Sequence, residues 1–159
     1  MTEQLFELVA TGGTFDELHA GHRELLNRAF NLGKSVVIGV SSDSFAEAKK
    51  GKNRLNHSFE TRVDRLIQFI HDEFGQVDFE IKELNDNFGP TITDRNLQAI
   101  IVSEETEIQG YEINKIRSRE GFDPLVIVTV GMLRAEDGRP LSSSRIRYGE
   151  IDRLGRVLK

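Results

Sequence analysis

The sequence predicts an α/β protein: a doubly wound, five-stranded parallel sheet in the order 3-2-1-4-5, with helices on both faces. Three observations carry that expectation. Strand-type and helix-type segments alternate along the chain, the arrangement that gives parallel strands covered by crossover helices. Residues 35–41 (SVVIGVS) and 98–103 (QAIIVS) are apolar at nearly every position, as strands buried on both faces are. Glycines or Gly pairs close the segments, at Gly12–Gly13, Gly33, Gly75 and Gly121.

Each element has its local reason. Residues 5–11 form a short apolar run that stops at Gly12–Gly13, which is strand one. From about Gly21 the period changes: Leu25, Leu26, Ala29 and Phe30 share one helical face, and Gly33 ends the helix. Residues 35–41 are strand two. Ser58 is placed to cap a helix with Glu60 in its first turn. Phe59, Val63, Leu66, Ile67, Ile70 and Phe74 then repeat at helical spacing up to Gly75. Val77, Phe79 and Ile81 alternate with polar residues in 77–84, the period of a half-exposed edge strand. Residues 98–103 are strand four, 107–119 a weaker helix ending at Gly121, and 125–130 strand five. A short helix is expected to begin near Ser143 or Ser144. Right-handed crossovers leave few topologies for this order, and the Rossmann-like one puts the ligand crevice at the carboxyl ends of strands one and four, where the winding reverses. The Gly12–His22 stretch, the basic 49–54 stretch after strand two and the Ser103–Thr106 stretch after strand four all converge there.

Composition narrows the class of protein. A chain of 159 residues is the size of one domain, 1–159, with room for one core. With 38% hydrophobic and 30% charged residues it has the balance of a soluble globular protein. No apolar run approaches the roughly 20 residues of a membrane span, and the first residues lack the basic-then-apolar pattern of a signal peptide. Cysteine is absent, which excludes disulfides and thiolate chemistry and fits a cytoplasmic location. The net charge of −5 argues against nucleic acid as the partner; neither nucleic acid nor a membrane is expected.

Two motifs carry chemistry. In GGTFDELHAGH, residues 12–22, Gly12 and Gly13 permit a sharp turn and close backbone approach, and the helix that follows presents N–H groups and a positive dipole end. His19 and His22 are one helical turn apart, so both rings can meet one ligand. A phosphate site, a metal site and an ordinary turn all begin as candidates. Metal lacks a third ligand, Asp16 being the only nearby addition. In GRPLSSSRIR, residues 138–147, consecutive serines at a helix start are followed by Arg145 and Arg147, a suitable triphosphate clamp. The GKS at residues 33–35 is a decoy. A phosphate loop of that type needs a glycine where Arg28 stands and a helix where strand two begins.

GGTFDELHAGH resembles the T-F-D…HxGH signature of the nucleotidyltransferase α/β-phosphodiesterase superfamily, and LSSSRIR resembles its ISSTxIR signature, with Leu141 and Ser144 as departures. The two signatures lie at opposite ends of the chain, as in that superfamily. VSEET at 102–106, Ile113-Asn114 with Arg117, and Gly121 with Pro124-Leu125 resemble the archaeal and eukaryotic-type phosphopantetheine adenylyltransferases. The resemblance implies adenylyl transfer from ATP to phosphopantetheine, with dephospho-coenzyme A and pyrophosphate as products and Mg2+ accompanying ATP.

The resemblance also implies the site. His19 and His22 contact the triphosphate, with His22 the leading catalytic residue as a donor to the α-phosphate. Gly13, Thr14, Phe15 and Gly21 frame the phosphate region. Ser142, Ser143, Ser144 and Arg147 hold the β- and γ-phosphates. Ser103, Glu104 and Asn114 fall on the adenine or ribose side by position. For phosphopantetheine it points to a lysine after strand two, with Lys50 nearest and Lys49 and Lys52 beside it, together with Thr14. The bacterial branch has an arginine right after strand four; this chain has Ser103-Glu104, so Arg134 or a loop lysine is the candidate substitute. Two other readings stay open: a cytidylyltransferase for glycerol phosphate or an adenylyltransferase for flavin or nicotinamide mononucleotides, and a nucleotide-binding regulatory module without turnover.

Overall fold

The computed structural model describes residues 4–50, 55–131, 135–139 and 142–158, without the side chains of Lys50, Ser143 and Ser144. Its sheet has the order β3-β2-β1-β4-β5 with every pairing parallel, as the alternation of elements predicts. The strands are β1 (Phe6–Gly13), β2 (Gly33–Ser41), β3 (Phe79–Leu84), β4 (Ala99–Ser103) and β5 (Val126–Val130). Val9 pairs with Val36 on one side of β1 and with Ala99 on the other, which puts β1 at the centre.

The helices are α1 (Ala20–Leu32), α2 (Asp43–Lys50), α3 (Phe59–Phe74), α4 (Glu107–Arg119) and α5 (Ser143–Arg147). Leu26, Ala29 and Phe30 of α1 and Leu66 and Ile70 of α3 pack on one face of the sheet, against Val9, Ile38 and Ile101. The other face, with Ala10, Val37 and Ile100, is covered by Ile113 of α4 together with Leu97 and Leu125. Because both faces are covered, β2 and β4 must be apolar on both sides, and they are. Edge strand β3 needs only one apolar face; its Lys82–Glu80 pair, at 2.8 Å, lies in solvent and discourages pairing with another chain.

Helix α3 begins and ends where the pattern predicts. Ser58 accepts the Thr61 amide at 3.3 Å, and Gly75 closes the helix with φ 71°. Two elements go beyond the sequence expectation. Helix α2 occupies part of what the sequence suggests is a basic loop, and a 3-10 turn spans Gly89–Ile92. In eight residues α2 buries a single apolar side chain, Ala46, too few to show a period. The 3-10 turn is set by Asp86, which accepts the amides of Phe88 (2.9 Å) and Gly89 (2.8 Å), a local side-chain effect rather than a periodic one.

Candidate active site

Strand β1 hands over to α1 through residues 14–19, and this connection is built around an uncommon backbone. Phe15 has φ 54°, the left-handed region that side chains with a Cβ disfavour, yet it is buried to 2% exposure. Such a conformation persists only where its surroundings hold it, and that happens most at functional sites. Here the ring is held against His22, with centroids 5.1 Å apart.

His19 is the N-cap of α1. Its Nδ1 accepts the Gly21 amide at 3.0 Å, and the His22 Nδ1 accepts the His19 amide at 3.3 Å. The two imidazoles therefore form a reciprocal capping box, with His22 at the position where Glu or Gln is usual. Their rings stack at 3.9 Å with an interplanar angle of 27°. A Cβ on Gly21 would lie 2.7 Å from the His19 Cε1, so only glycine allows this ring to fold over its own helix. With both Nδ1 atoms accepting backbone N–H groups, the hydrogen-bond pattern places a proton on the Nε2 of each ring. Two donor nitrogens are thus set at a helix N-terminus, where backbone N–H groups and the dipole already favour an anion.

Burial holds the His19 imidazole well below its ordinary 6.5, at about 4, so it is neutral at physiological pH. The folded protein refuses a proton that the unfolded chain accepts. This contribution to stability is present in full above about pH 6.5 and is lost as pH falls toward 4. His19→Asn keeps a good N-cap and removes the titration. Its melting temperature is expected to fall less than that of the wild type between pH 7 and pH 5, and equal losses would contradict the assignment.

Asp16 joins the two sequence signatures. Its side chain is fully buried and accepts Arg147 Nη1 at 2.9 Å, together with the amides of Asn56 (3.0 Å) and His57 (3.1 Å). Asp16 is therefore a structural hinge-pin between distant segments. Among the described residues no group of three or more potential metal ligands occurs. The neighbouring Glu17 accepts Asn56 Nδ2 (3.1 Å) and Arg153 Nη2 (2.7 Å) and lies 3.0 Å from His57 Nε2. Burial pushes the Glu17 carboxyl up, but hydrogen bonds from Asn56 and His57 and the charge of Arg153 outweigh it and hold it below the ordinary value. His57, which the sequence places merely before a helix cap, belongs to this cluster.

Helix α5 is capped by Ser142, whose Oγ accepts the Arg145 amide at 3.3 Å. Arg145 pairs with Asp137 and with Glu150, the latter at 2.8 Å, and so ties α5 to the preceding turn. Ser103 is tied to Thr106, whose Oγ1 accepts its amide at 3.1 Å, while the exposed Glu104 sits beside Gly131 at the ends of β4 and β5.

A crevice opens at the carboxyl ends of β1, β2 and β4, the switch point of the sheet. Gly12 and Gly13 line it with Phe45 and Lys49 of α2, Leu84 and Thr106. A Cβ on Gly12 would meet the Gly39 carbonyl oxygen at 3.0 Å, so the floor there stays bare. The Lys49 ammonium lies 4.9 Å above the Phe45 ring. A wider hollow, with Leu18, His19, Phe69 and Leu154 on its walls, lies between α1 and α3. Two of its cations are matched, Arg23 to Glu73 at 2.7 Å and Arg153 to Glu17 at 2.7 Å.

The structure thus gathers Gly13, Thr14, Phe15, His19, Gly21 and His22 at one turn and Lys49 at the adjoining crevice, and it ties Arg147 to that turn through Asp16. Lys52 and Arg134 lie outside the described residues, as do the side chains of Lys50, Ser143 and Ser144. Asn114 Nδ2 donates to the Leu125 carbonyl (3.0 Å) and its Oδ1 accepts the Leu125 amide (2.7 Å), which pins α4 to the start of β5. Its partner in the same motif, Arg117, is fully buried and donates to four backbone carbonyls, those of Thr91, Asp94, Leu97 and Asp123.

Over residues 10–149 the chain matches the family described as cytidylyltransferase-like. It is 47% identical over 154 residues to the phosphopantetheine adenylyltransferase of Methanothermobacter thermautotrophicus, covering 97% of this chain and 91% of that one. With the enzyme of the same name from Methanopyrus kandleri the identity is 46% over 149 residues, 92% of each chain. Among solved structures, a protein of unknown function from Archaeoglobus fulgidus superposes with a TM-score of 0.70 at 33% identity, covering 77% of this chain and 87% of that one.

Proposed function

Since the chain belongs to the phosphopantetheine adenylyltransferases, within the cytidylyltransferase-like family, its reaction is transfer of the adenylyl group of ATP to phosphopantetheine, and we propose that the switch-point crevice and the His19–His22 turn carry it out. The products are dephospho-coenzyme A and pyrophosphate, in coenzyme A biosynthesis. The observation that supports this site best is the capping box of His19 and His22, which fixes two Nε2 donors at the N-terminus of α1.

In the proposed mechanism the phosphate oxygen of phosphopantetheine attacks the α-phosphorus of ATP in line. A new P–O bond forms as the bond to the bridging oxygen breaks, and pyrophosphate leaves with the electron pair. The attacking phosphate is anionic near neutral pH, so no strong base is needed, and the neutral His19 imidazole suits the task. Catalysis is positioning plus stabilisation of charge on the transferring phosphate. His22 donates to the α-phosphate and His19 to the triphosphate beside it. Gly13, Thr14 and Phe15 frame the phosphates, and Ser142, Ser143, Ser144 and Arg147 receive the β- and γ-phosphates. Ser103 and Glu104 flank the nucleoside. Among the described residues no group of three or more potential ligands forms a protein cage for a metal ion, and Mg2+ would enter as the counter-ion of the triphosphate, which it prefers to an all-protein site. No helix among the described residues is long and apolar enough to cross a membrane. A cytoplasmic setting is part of this proposal.

Lys49 is the acceptor-side lysine this structure favours, because it lines the crevice and is held there over Phe45. Lys49→Ala is expected to raise KM for phosphopantetheine roughly tenfold, the loss of one charge-assisted contact, and to leave KM for ATP within about twofold. A larger effect on ATP would move the acceptor site elsewhere. The reaction itself is tested by pyrophosphate release from ATP and phosphopantetheine. No release from folded protein would refute the reading, and preference for CTP with glycerol phosphate would replace it.

A further inference from the structure

We propose that Arg62 is a positioning residue that fixes the acceptor helix α2 relative to the phosphate loop, so that ATP and phosphopantetheine meet at the distance the transfer needs. The proposal rests on the reaction proposed above. Arg62 lies on the buried stripe of α3, where Leu66 and Ile70 follow at one and two further turns. Packing at that position is satisfied by an aliphatic side chain, and a buried cation is costly unless its donors are all matched. Arg62 is 0% exposed and its partners are specific. Nη1 donates to the carbonyl of Thr14 at 2.8 Å and to that of Ser41 at 2.9 Å. Nη2 donates to Asp43 Oδ1 at 2.9 Å, and Nε to the carbonyl of His57 at 3.1 Å.

Those four acceptors belong to the segments that must be mutually placed. The Thr14 carbonyl immediately precedes Phe15, the residue held at φ 54°. Ser41 is the last residue of β2, and Asp43 is the first of α2, the helix that carries Phe45 and Lys49 into the crevice. The His57 carbonyl belongs to the loop whose amides are held by Asp16, which also holds Arg147. A planar guanidinium imposes fixed angles among its acceptors that an ammonium cannot reproduce. Arg62 therefore sets the spacing of the ATP side and the acceptor side through one rigid group, without touching either substrate.

The test uses Asp43→Ala and Arg62→Lys in the full chain. The Asp43 side chain is 47% exposed, so its removal cuts the link to α2 at a place where water can take over the Arg62 Nη2 contact. Asp43→Ala is expected to lower kcat by roughly tenfold, with the KM values for ATP and phosphopantetheine and the calorimetric Kd for ATP within about threefold, since misplacement penalises the transfer rather than the binding. Arg62→Lys keeps the charge, loses the fork, and is expected to lower kcat at least as much. Unchanged kcat in Asp43→Ala, or losses confined to KM, would overturn the proposal, and Asp43→Ala decides alone if Arg62→Lys does not fold. Hydrogen exchange gives a readout that needs only ATP. ATP is expected to slow exchange in both the phosphate loop and α2 of the wild type, and in the loop alone in Asp43→Ala. Protection of α2 that survives in the variant, or that is absent from the wild type, refutes the coupling. Absence of pyrophosphate release from the wild type would instead refute the reaction, while the exchange comparison still judges Arg62.

Discussion

His22→Ala is expected to lower kcat by roughly 100- to 1,000-fold, the usual cost of removing one preorganised donor to transition-state charge. The structure adds a reason for the upper part of that range. The His22 ring also accepts the His19 amide, stacks on the His19 ring and packs on Phe15. Its loss removes a donor and loosens the second donor along with the backbone that frames the phosphates. The cost to stability is smaller, on the order of 1 kcal/mol for half of a helix cap. His22→Gln, which can rebuild the cap with its side-chain oxygen, is expected to recover the stability and little of the rate. Pyrophosphate release at saturating substrates, set beside thermal melting, separates the two effects. A kcat within about threefold of wild type for His22→Ala would remove His22 from the mechanism.

Arg117→Met is expected to be the most damaging single change to stability, about 3–5 kcal/mol, because it strands several buried carbonyls that cost about 1–3 kcal/mol each. Arg117 staples the end of α4 to residues 91–97 and to Asp123. At about 2–4 °C per kcal/mol for a chain of this size, the melting temperature should fall by roughly 10 °C. Activity measured well below the transition should stay close to wild type. Loss of activity without loss of melting temperature would mean that Arg117 acts on substrate after all.

The two arginines show what the sequence displays and what it hides. The apolar stripes of α1 and α3, the Ser58 cap and the two-face burial of β2 and β4 depend on local period and composition, and all are readable from the order of residues alone. Arg62 and Arg117 occupy core positions of their helices, four residues from Leu66 and Ile113 respectively. A cation at a core position is a visible signal of a buried polar bracket, although the carbonyls it will reach lie up to 48 residues away and cannot be read locally. Asn114 shares a motif with Arg117, and the contacts by which the two hold α4, β5 and the 3-10 turn together are likewise hidden in the order of residues. Helix α2 escapes because its placement depends on Arg62 and the crevice more than on its own pattern.

The Asp16–Arg147 pair closes a loop of 131 residues. That separation has a consequence for the order in which a growing chain becomes competent. Strands β1 to β5 and the histidine turn all precede residue 131, so every strand of the sheet leaves the ribosome before Arg147 does. A nascent chain at that stage holds the nucleotide turn without its C-terminal partner. Asp16 then faces the Asn56 and His57 amides alone. The bracket between the two signatures therefore closes only once Arg147 has emerged, after the strands that position Asp16.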